Sequence, residues 1–302
     1  MTAAGDDSTT QTQMRHVDFH VTHDIVLGIR YLRGRMANKA GAGPVVFDDK
    51  RSFVLTIDTA EVALSMASLG ALMNQHVFAY PGSPLRNLHF AVVGHELQQK
   101  GVLHKVVNIP FTLTAVPTLT PTGSIRIHPT SMKICDLDGM GLMHALGIKL
   151  ADLLKVKQGI GVTVSGNDLI LDPLRILPPP MIQGHLVAIR VAGGALVQVF
   201  GARRAGARRV AALVPPDTTK PNYMFFRSGT LRFGKLFMVH ADMQIVDQSP
   251  QDPFDFSIDE YNRQLVAGYS KNLPDHGLEV FMPDLDKAPP LAGARTPAKR
   301  NR

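Results

Sequence analysis

The feature that most restricts this chain is a run of alternating side chains near its start. From Val17 the odd positions read Val17, Phe19, Val21, His23, Ile25, Leu27, Ile29 and Tyr31, while His16, Asp18, His20, Thr22, Asp24 and Arg30 fill most of the even ones. Period two is the signature of a strand, because successive side chains leave a sheet on opposite faces. Carried to Tyr31 without a break, this strand would run about 50 Å at ~3.3 Å per residue, far beyond the ordinary length of about five or six residues. A hairpin at Thr22 to Asp24 is the competing reading, although that segment contains neither Gly nor Pro. A second alternation joins Val107, Ile109, Phe111, Leu113 and Ala115. Pro110 within it cannot donate to a ladder, which predicts an edge strand or a bulge. Shorter strands are expected at Phe53 to Ile57, Leu88 to Val93, Ser124 to His128, Leu186 to Val191, Leu196 to Phe200 and Leu231 to Val239. Antiparallel sheet therefore dominates the expectation.

Two stretches lose the alternation and predict helices. Residues 59–77 follow Asp58 or Thr59 as an N-cap, and Val62, Met66, Leu69, Met73 and Val77 recur at spacings of three and four, with Leu72 widening the stripe. Residues 139–155 follow Asp136 or Asp138 and carry Leu142, Met143, Leu146, Leu150, Leu153 and Leu154. Helices this apolar need cover. Their methionines, Met66, Met73, Met140 and Met143, suit surfaces that accept variable apolar shapes, although core packing explains most such stripes. Between and after the helices the chain is punctuated by turns. Gly166-Asn167 and Gly193-Gly194 sit between alternating runs as hairpin turns, and the prolines at 178 to 180 make a stiff extended bridge.

Composition removes several chemistries. The single Cys135 excludes an intramolecular disulfide and a cysteine-rich zinc site. His16, His20 and His23 in a strand point to both faces and cannot converge on a metal. No Gly-x-Ser-x-Gly elbow, His-Glu-x-x-His helix or phosphate-binding glycine loop occurs, so no catalytic residue, metal or cofactor is expected. The chain carries 32 Lys and Arg against 25 Asp and Glu, for a net charge of +7. Arg30, Arg33, Arg35 and Lys39, together with Arg203, Arg204, Arg208 and Arg209, form basic groups suited to an anionic membrane surface or to plain solvation. No aromatic residue is interleaved with the basic residues of the C-terminal tail, which argues against nucleic acid. Neither a secretory signal nor an apolar run near the ~18 residues of a membrane span is expected, which places the chain in the cytoplasm or at a membrane surface. The expected organisation is a tail over 1–14, a main domain over 15–200, an exposed linker over 201–221, a strand and helix extension over 222–286 on the same domain, and a basic tail over 287–302.

The long alternating strands, the two apolar helices and the meander around GNDLILDP and PPPMIQGHL resemble the tubular lipid-binding (TULIP) superfamily, in particular its bacterial members. These are related in fold to synaptotagmin-like mitochondrial lipid-binding domains and to bactericidal/permeability-increasing protein. The resemblance covers about residues 15–200 and implies an α+β fold, a long curved antiparallel sheet wrapped around two apolar helices. It also implies a non-enzymatic carrier whose groove holds the acyl chains of a phospholipid or similar amphiphile. The implied lining comprises Val62, Met66, Leu69, Leu72, Met73, Leu142, Met143, Leu146, Leu150 and Leu153 on the helices, with Leu27, Ile29, Phe111 and Leu113 on strands. Two acyl chains at about 0.8 kcal/mol per buried methylene would drive binding by partition. Transfer between membranes and a homodimer are left open. A membrane-associated scaffold with a filled core is the alternative, and an esterase-type hydrolase the third reading.

Overall fold

The computed structural model describes residues 9–104, 107–135, 137–145, 149–202, 212–275 and 277–291. Along the chain, strands β1 (Thr9–His20), β2 (Val26–Asn38), β3 (Val45–Val46) and β4 (Phe53–Ser65) lead into helix α1 (Met66–Leu72) and a π-helical turn, Met73–Val77. Next come β5 (Leu85–Val93), β6 (Glu96–His104), β7 (Asn108–Leu119), β8 (Ile125–Ile134) and β9 (Leu137–Asp138), then the short helices α2 (Gly139–Ala145) and α3 (Leu150–Leu153). A third group holds β10 (Val162–Ser165), β11 (Asp168–Leu171), β12 (Met181–Gln183), β13 (Leu186–Ala192) and β14 (Ala195–Phe200). The remainder adds β15 (Tyr223–Arg227), β16 (Thr230–Phe233), β17 (Leu236–Val239), β18 (Asp242–Asp247), β19 (Phe254–Ser257), α4 (Tyr261–Ala267), β20 (Tyr269–Asn272) and β21 (Leu278–Met282).

These strands form an α+β fold dominated by antiparallel pairing. The large sheet has the order β13-β14-β4-β2-β1-β15-β18-β21-β20, with β12 beside β4 and β19 beside β1. A second sheet runs β10-β11-β8-β7-β6-β5 with β9 on β8, and a small one runs β17-β16-β3. Strands from both ends of the chain thus share the large sheet. Its inner face follows from alternation: Met14, Val17 and Phe19 of β1 and Leu27, Ile29, Leu32 and Met36 of β2 are all buried. Phe47 stands at the centre of this layer, with ring centroids 4.9 Å from Phe226, 5.4 Å from Phe233 and 6.2 Å from Phe53.

Several expectations change. The run from Val17 to Tyr31 is a hairpin, closed where Val21 N donates to Ile25 O at 3.0 Å and Ile25 N donates to Thr22 Oγ1 at 3.1 Å. A threonine hydroxyl here does what Gly or Pro usually does. The register sets Val17 opposite Ile29 and Phe19 opposite Leu27, so odd residues stay on one face through the turn and the alternation shows no break. Residues 9–14, expected as tail, belong to β1, where Thr10, Thr12 and Met14 are buried. Their polarity hid a strand in which β-branched threonines face the core. At the other end Ala288 is buried although it falls in the expected tail.

The helix expected over 59–77 begins only at Met66. Residues up to Ser65 extend β4, because β2 and β14 pair with it on both sides and Ala60, Val62 and Leu64 fill the inner face. Ser65, in place of Asp58 or Thr59, caps α1 by accepting from Ser68 N at 3.1 Å. Over 139–155 there are two short helices, and Asp138 caps the first by accepting from Met140 N and Gly141 N, both at 3.1 Å. Neither helix region is the long element that a sheet could wrap around. Pro110 lies on an interior strand, and it is tolerated because the ladder from β7 to β8 starts one residue later, at Phe111 opposite Ile134. The turns at Gly166-Asn167 and Gly193-Gly194 are two-residue hairpin loops, the second with φ of +57° and +73°, angles that suit glycine.

Two stability outcomes follow from this packing. Phe47→Ala should lower the unfolding free energy by about 3–5 kcal/mol, measured by chemical denaturation. The hydroxyls of Thr10 and Thr12 are buried without a hydrogen-bond partner. Thr12→Val, which keeps the shape and removes that unmet group, should raise stability by about 1 kcal/mol in the same measurement.

Candidate functional site

The inner face of the second sheet is built by the same alternation. Ile109, Phe111 and Leu113 of β7 lie beside Leu103 and Gln99 of β6 and Met132 and Ile134 of β8, and Leu169 of β11 extends the row. Leu150 and Leu153 of α3, with Leu154, roof it, and a cleft of about 150 Å3 stays open between roof and sheet. Among the described residues, Gln99 is the one polar side chain that lines it. At Gly101 a Cβ would stand 3.1 Å from ring carbons of Phe111 and 2.6 Å from Leu88 Cδ2, so a larger residue there would displace Leu88 and push the ring away from β6.

The roof is too short to hold itself as an isolated helix. It is pinned instead to the turn between β10 and β11, where Leu150 N donates to Asn167 Oδ1 at 3.0 Å and Ala151 N donates to Gly166 O at 2.9 Å. Lys149 N also donates to Asp152 Oδ2 at 2.8 Å, closing the first turn. Leu103, Ile109, Phe111, Ile134, Leu150 and Leu153 are only half-buried, which makes this a cleft and not a sealed void. Near its end Val107 is 61% exposed and Leu137 is 68% exposed, unusual for side chains of this kind on a packed sheet. Leu137 is paired with Ile134, one of the lining residues.

The residues expected to line one groove are divided among three places. Phe111, Leu113, Leu150 and Leu153 meet in the cleft. Leu27, Ile29 and Val62 lie on the inner face of the large sheet, around a smaller cavity of about 60 Å3 that is also lined by Leu177, Pro178 and Pro180. Leu69, Leu72 and Met73 are buried in the core with Met66 packed against them, and Met143 is buried as well. Leu146 and the side chain of Leu142 lie outside the described residues. The lining residues missed include Leu103, Ile109, Met132, Ile134 and Leu169. Their signal was the period-two run at 107–115, which implies apolar neighbours on each flanking strand without saying which.

A second group of interest is electrostatic. Asp18 of β1 is opposite Asp255 of β19 in a parallel pair, and His20 Nε2 is ion-paired with Asp255. Burial raises the Asp18 carboxyl above its usual value, and the Asp255 charge adds to the shift. For His20 burial works downward, but the hydrogen bond and charge of Asp255 outweigh it and the imidazole titrates above its usual 6.5. Among the described residues no group of three or more His, Cys, Asp and Glu is placed to hold a metal ion, and no helix is long and apolar enough to cross a membrane. Arg30, Arg33 and Arg35 lie along β2, while Arg203, Arg204, Arg208 and Arg209 are outside the described residues.

The His20 shift fixes the sign of a pH effect. The native state holds the proton more tightly than the unfolded chain, so the gain is complete below about 6.5 and disappears as pH rises through the higher native value. The Asp18 shift acts in the same direction at lower pH, since its ionised form is the disfavoured one in the fold. Thermal unfolding should therefore show a midpoint that falls as the pH rises above about 6.5, and His20→Gln should flatten that slope. Compared with known proteins, the chain matches no family model, no curated protein and no solved structure.

Proposed function

We propose that the protein binds the acyl chain of a lipid or similar amphiphile, without catalysis, in the cleft between the second sheet and α3. The observation that carries this reading is an open, almost wholly apolar cleft between the second sheet and its roof. The likeness to the tubular lipid-binding superfamily supports the same ligand class, and a groove along a curved sheet belongs to this proposal.

Volume narrows the ligand. At roughly 30 Å3 per methylene-sized group, a cleft of this size takes about five of them. Five methylenes at about 0.8 kcal/mol each give about 4 kcal/mol, which corresponds to a dissociation constant near 1 mM. The cleft therefore suits the end of a single chain, not the paired chains of a whole phospholipid. The rest of the amphiphile would lie along Val107 and Leu137 at the rim or stay in a membrane surface. The modest size of both cavities is what favours the second reading, an interaction protein whose core is essentially filled.

Binding is tested with a fluorescent long-chain fatty acid and by mass spectrometry of lipids that co-purify. Leu153→Arg places a charge on the half-buried roof and should cut uptake at least about tenfold while the circular dichroism spectrum is unchanged. Equal uptake by a folded Leu153→Arg variant removes the cleft as the site. Clean lipid extracts together with no fluorescence change in the wild-type chain favour the filled-core reading.

A further inference from the structure

Every side chain of β17, Leu236 to Val239, is apolar, yet the strand lies at an edge and pairs with β16 alone among the described residues. Register decides which side chains the core takes. Leu231 stands opposite Met238 and Phe233 opposite Leu236, so these four share the inward face, where Leu231 and Phe233 are buried. Thr230 and Arg232, opposite Val239 and Phe237, take the outward face. There Phe237 is 56% exposed and Val239 61%, and Leu236 near the tip is 37% exposed. Of the fourteen phenylalanines in the chain, Phe237 alone is exposed. A ring left in water forgoes the burial that drives the other phenylalanines inward.

The hairpin is held at its base and carries positive charge at its tip. Gly234 and Lys235 make a two-residue turn, with Gly234 at φ of +60°. Gly234 N donates to Asp48 Oδ1 at 3.1 Å, and the Tyr261 hydroxyl donates to Asp48 Oδ2 at 3.1 Å, so both oxygens of that carboxylate are engaged by neutral donors. Phe233 lies against Tyr261 with ring centroids 4.4 Å apart. Arg232 Nε donates to Gly234 O at 3.1 Å, which holds the guanidinium beside the turn without neutralising it. Lys235 is exposed at the turn itself. From Thr218 to Ala241 the sequence contains no Asp or Glu. One cation therefore stands opposite Phe237 and another precedes Leu236.

We infer that this hairpin docks the protein on an anionic membrane surface, with Leu236, Phe237 and Val239 entering the boundary between head groups and acyl chains while Arg232 and Lys235 meet lipid phosphates. A bilayer interface places an apolar layer directly beneath an anionic one, and apolar side chains set beside cations match both. The contacts to Asp48 and Tyr261 already fix the hairpin, so little ordering is lost on insertion. Two other occupants fit less well. A second copy paired along β17 would bring two more cations to the same edge. An added peptide strand would find an edge of four residues preceded by a lysine, features that discourage strand pairing. These residues lie outside the lining of the apolar cleft, and membrane docking does not rest on lipid binding there.

The full chain is sedimented with phosphatidylcholine vesicles with and without phosphatidylserine. Binding should require phosphatidylserine and weaken as salt is raised. Arg232→Gln and Lys235→Gln should each weaken it about fivefold and Phe237→Ser about tenfold, with circular dichroism unchanged because all three side chains are exposed. Val266→Ser, exposed on α4, should leave binding as it is. The chain contains no tryptophan, so Phe237→Trp supplies a single emission signal that should move to shorter wavelength on phosphatidylserine vesicles. Fatty-acid uptake should be unaffected by Phe237→Ser. Three results each overturn the proposal: no binding to phosphatidylserine vesicles, full binding by a folded Lys235→Gln, Phe237→Ser double variant, or Phe237→Trp emission that stays fixed while the chain is bound. Sedimentation equilibrium without lipid covers the rival occupant. Self-association that Phe237→Ser abolishes, with no vesicle binding, assigns the edge to a second copy and overturns membrane docking.

Discussion

Two broad sheets with apolar inner faces must be covered, and the described chain has only four short α-helices and one π-helical turn to cover them. That shortage governs the rest of the structure. Over the large sheet the cover is aromatic, with Phe47 brought in from the loop after β3 and surrounded by rings from several strands. The prolines near 178–180 complete it, and the space left is small. Over the second sheet α1 packs against β5 and α2 against β8, while the cover above the cleft is α3, a single turn tied to a hairpin that does not reach far enough to bury the leucines and the phenylalanine beneath it. The apolar cleft is the region where sheet area exceeds helix area.

Segments without regular structure still need partners for their backbone groups, since an unpaired amide away from water costs about as much as a lost hydrogen bond. In this molecule amide side chains supply many of them. Gln264 is fully buried, accepts from Ser257 N and donates to the carbonyls of Asp255 and Pro283. Asn74 does the same between the π-helical turn and β5, donating to the carbonyls of Gly70 and Leu88 and accepting from Leu88 N. With Gln13, which bonds both backbone groups of Leu213, and Gln244, which bonds both of Asp217, these residues dock loops onto sheets as a strand would. Buried polar side chains of this kind stabilise only when every group is satisfied, so each also fixes one geometry.

Much of the sheet architecture was legible in the sequence. The alternation at 107–115 named a strand of the apolar cleft, and Gly166-Asn167 and Gly193-Gly194 marked two hairpins at their observed positions. What misled was information held elsewhere in the chain. Val62 and Leu64 fit a helical stripe as well as a strand face, and the choice was made by Gln198 and Leu196 pairing beside them from far along the sequence. Thr10 and Thr12 read as a polar tail because their burial depends on β15, near the opposite end. Which apolar strands share a cleft is likewise a matter of pairing order, and periodicity records faces, not neighbours.

The position of β1 has a consequence for biosynthesis. One edge of it is satisfied early by β2, while the other faces Tyr223 to Arg227 and Phe254 to Ser257. A nascent chain leaving the ribosome must therefore keep that edge, with its unbonded amides and carbonyls, open until residues 223–257 have been made. Open edges of this kind recruit foreign strands, and contacts so distant along a polypeptide form slowly. Chaperones that shield the half-finished sheet should raise the yield of native protein more than slower translation alone.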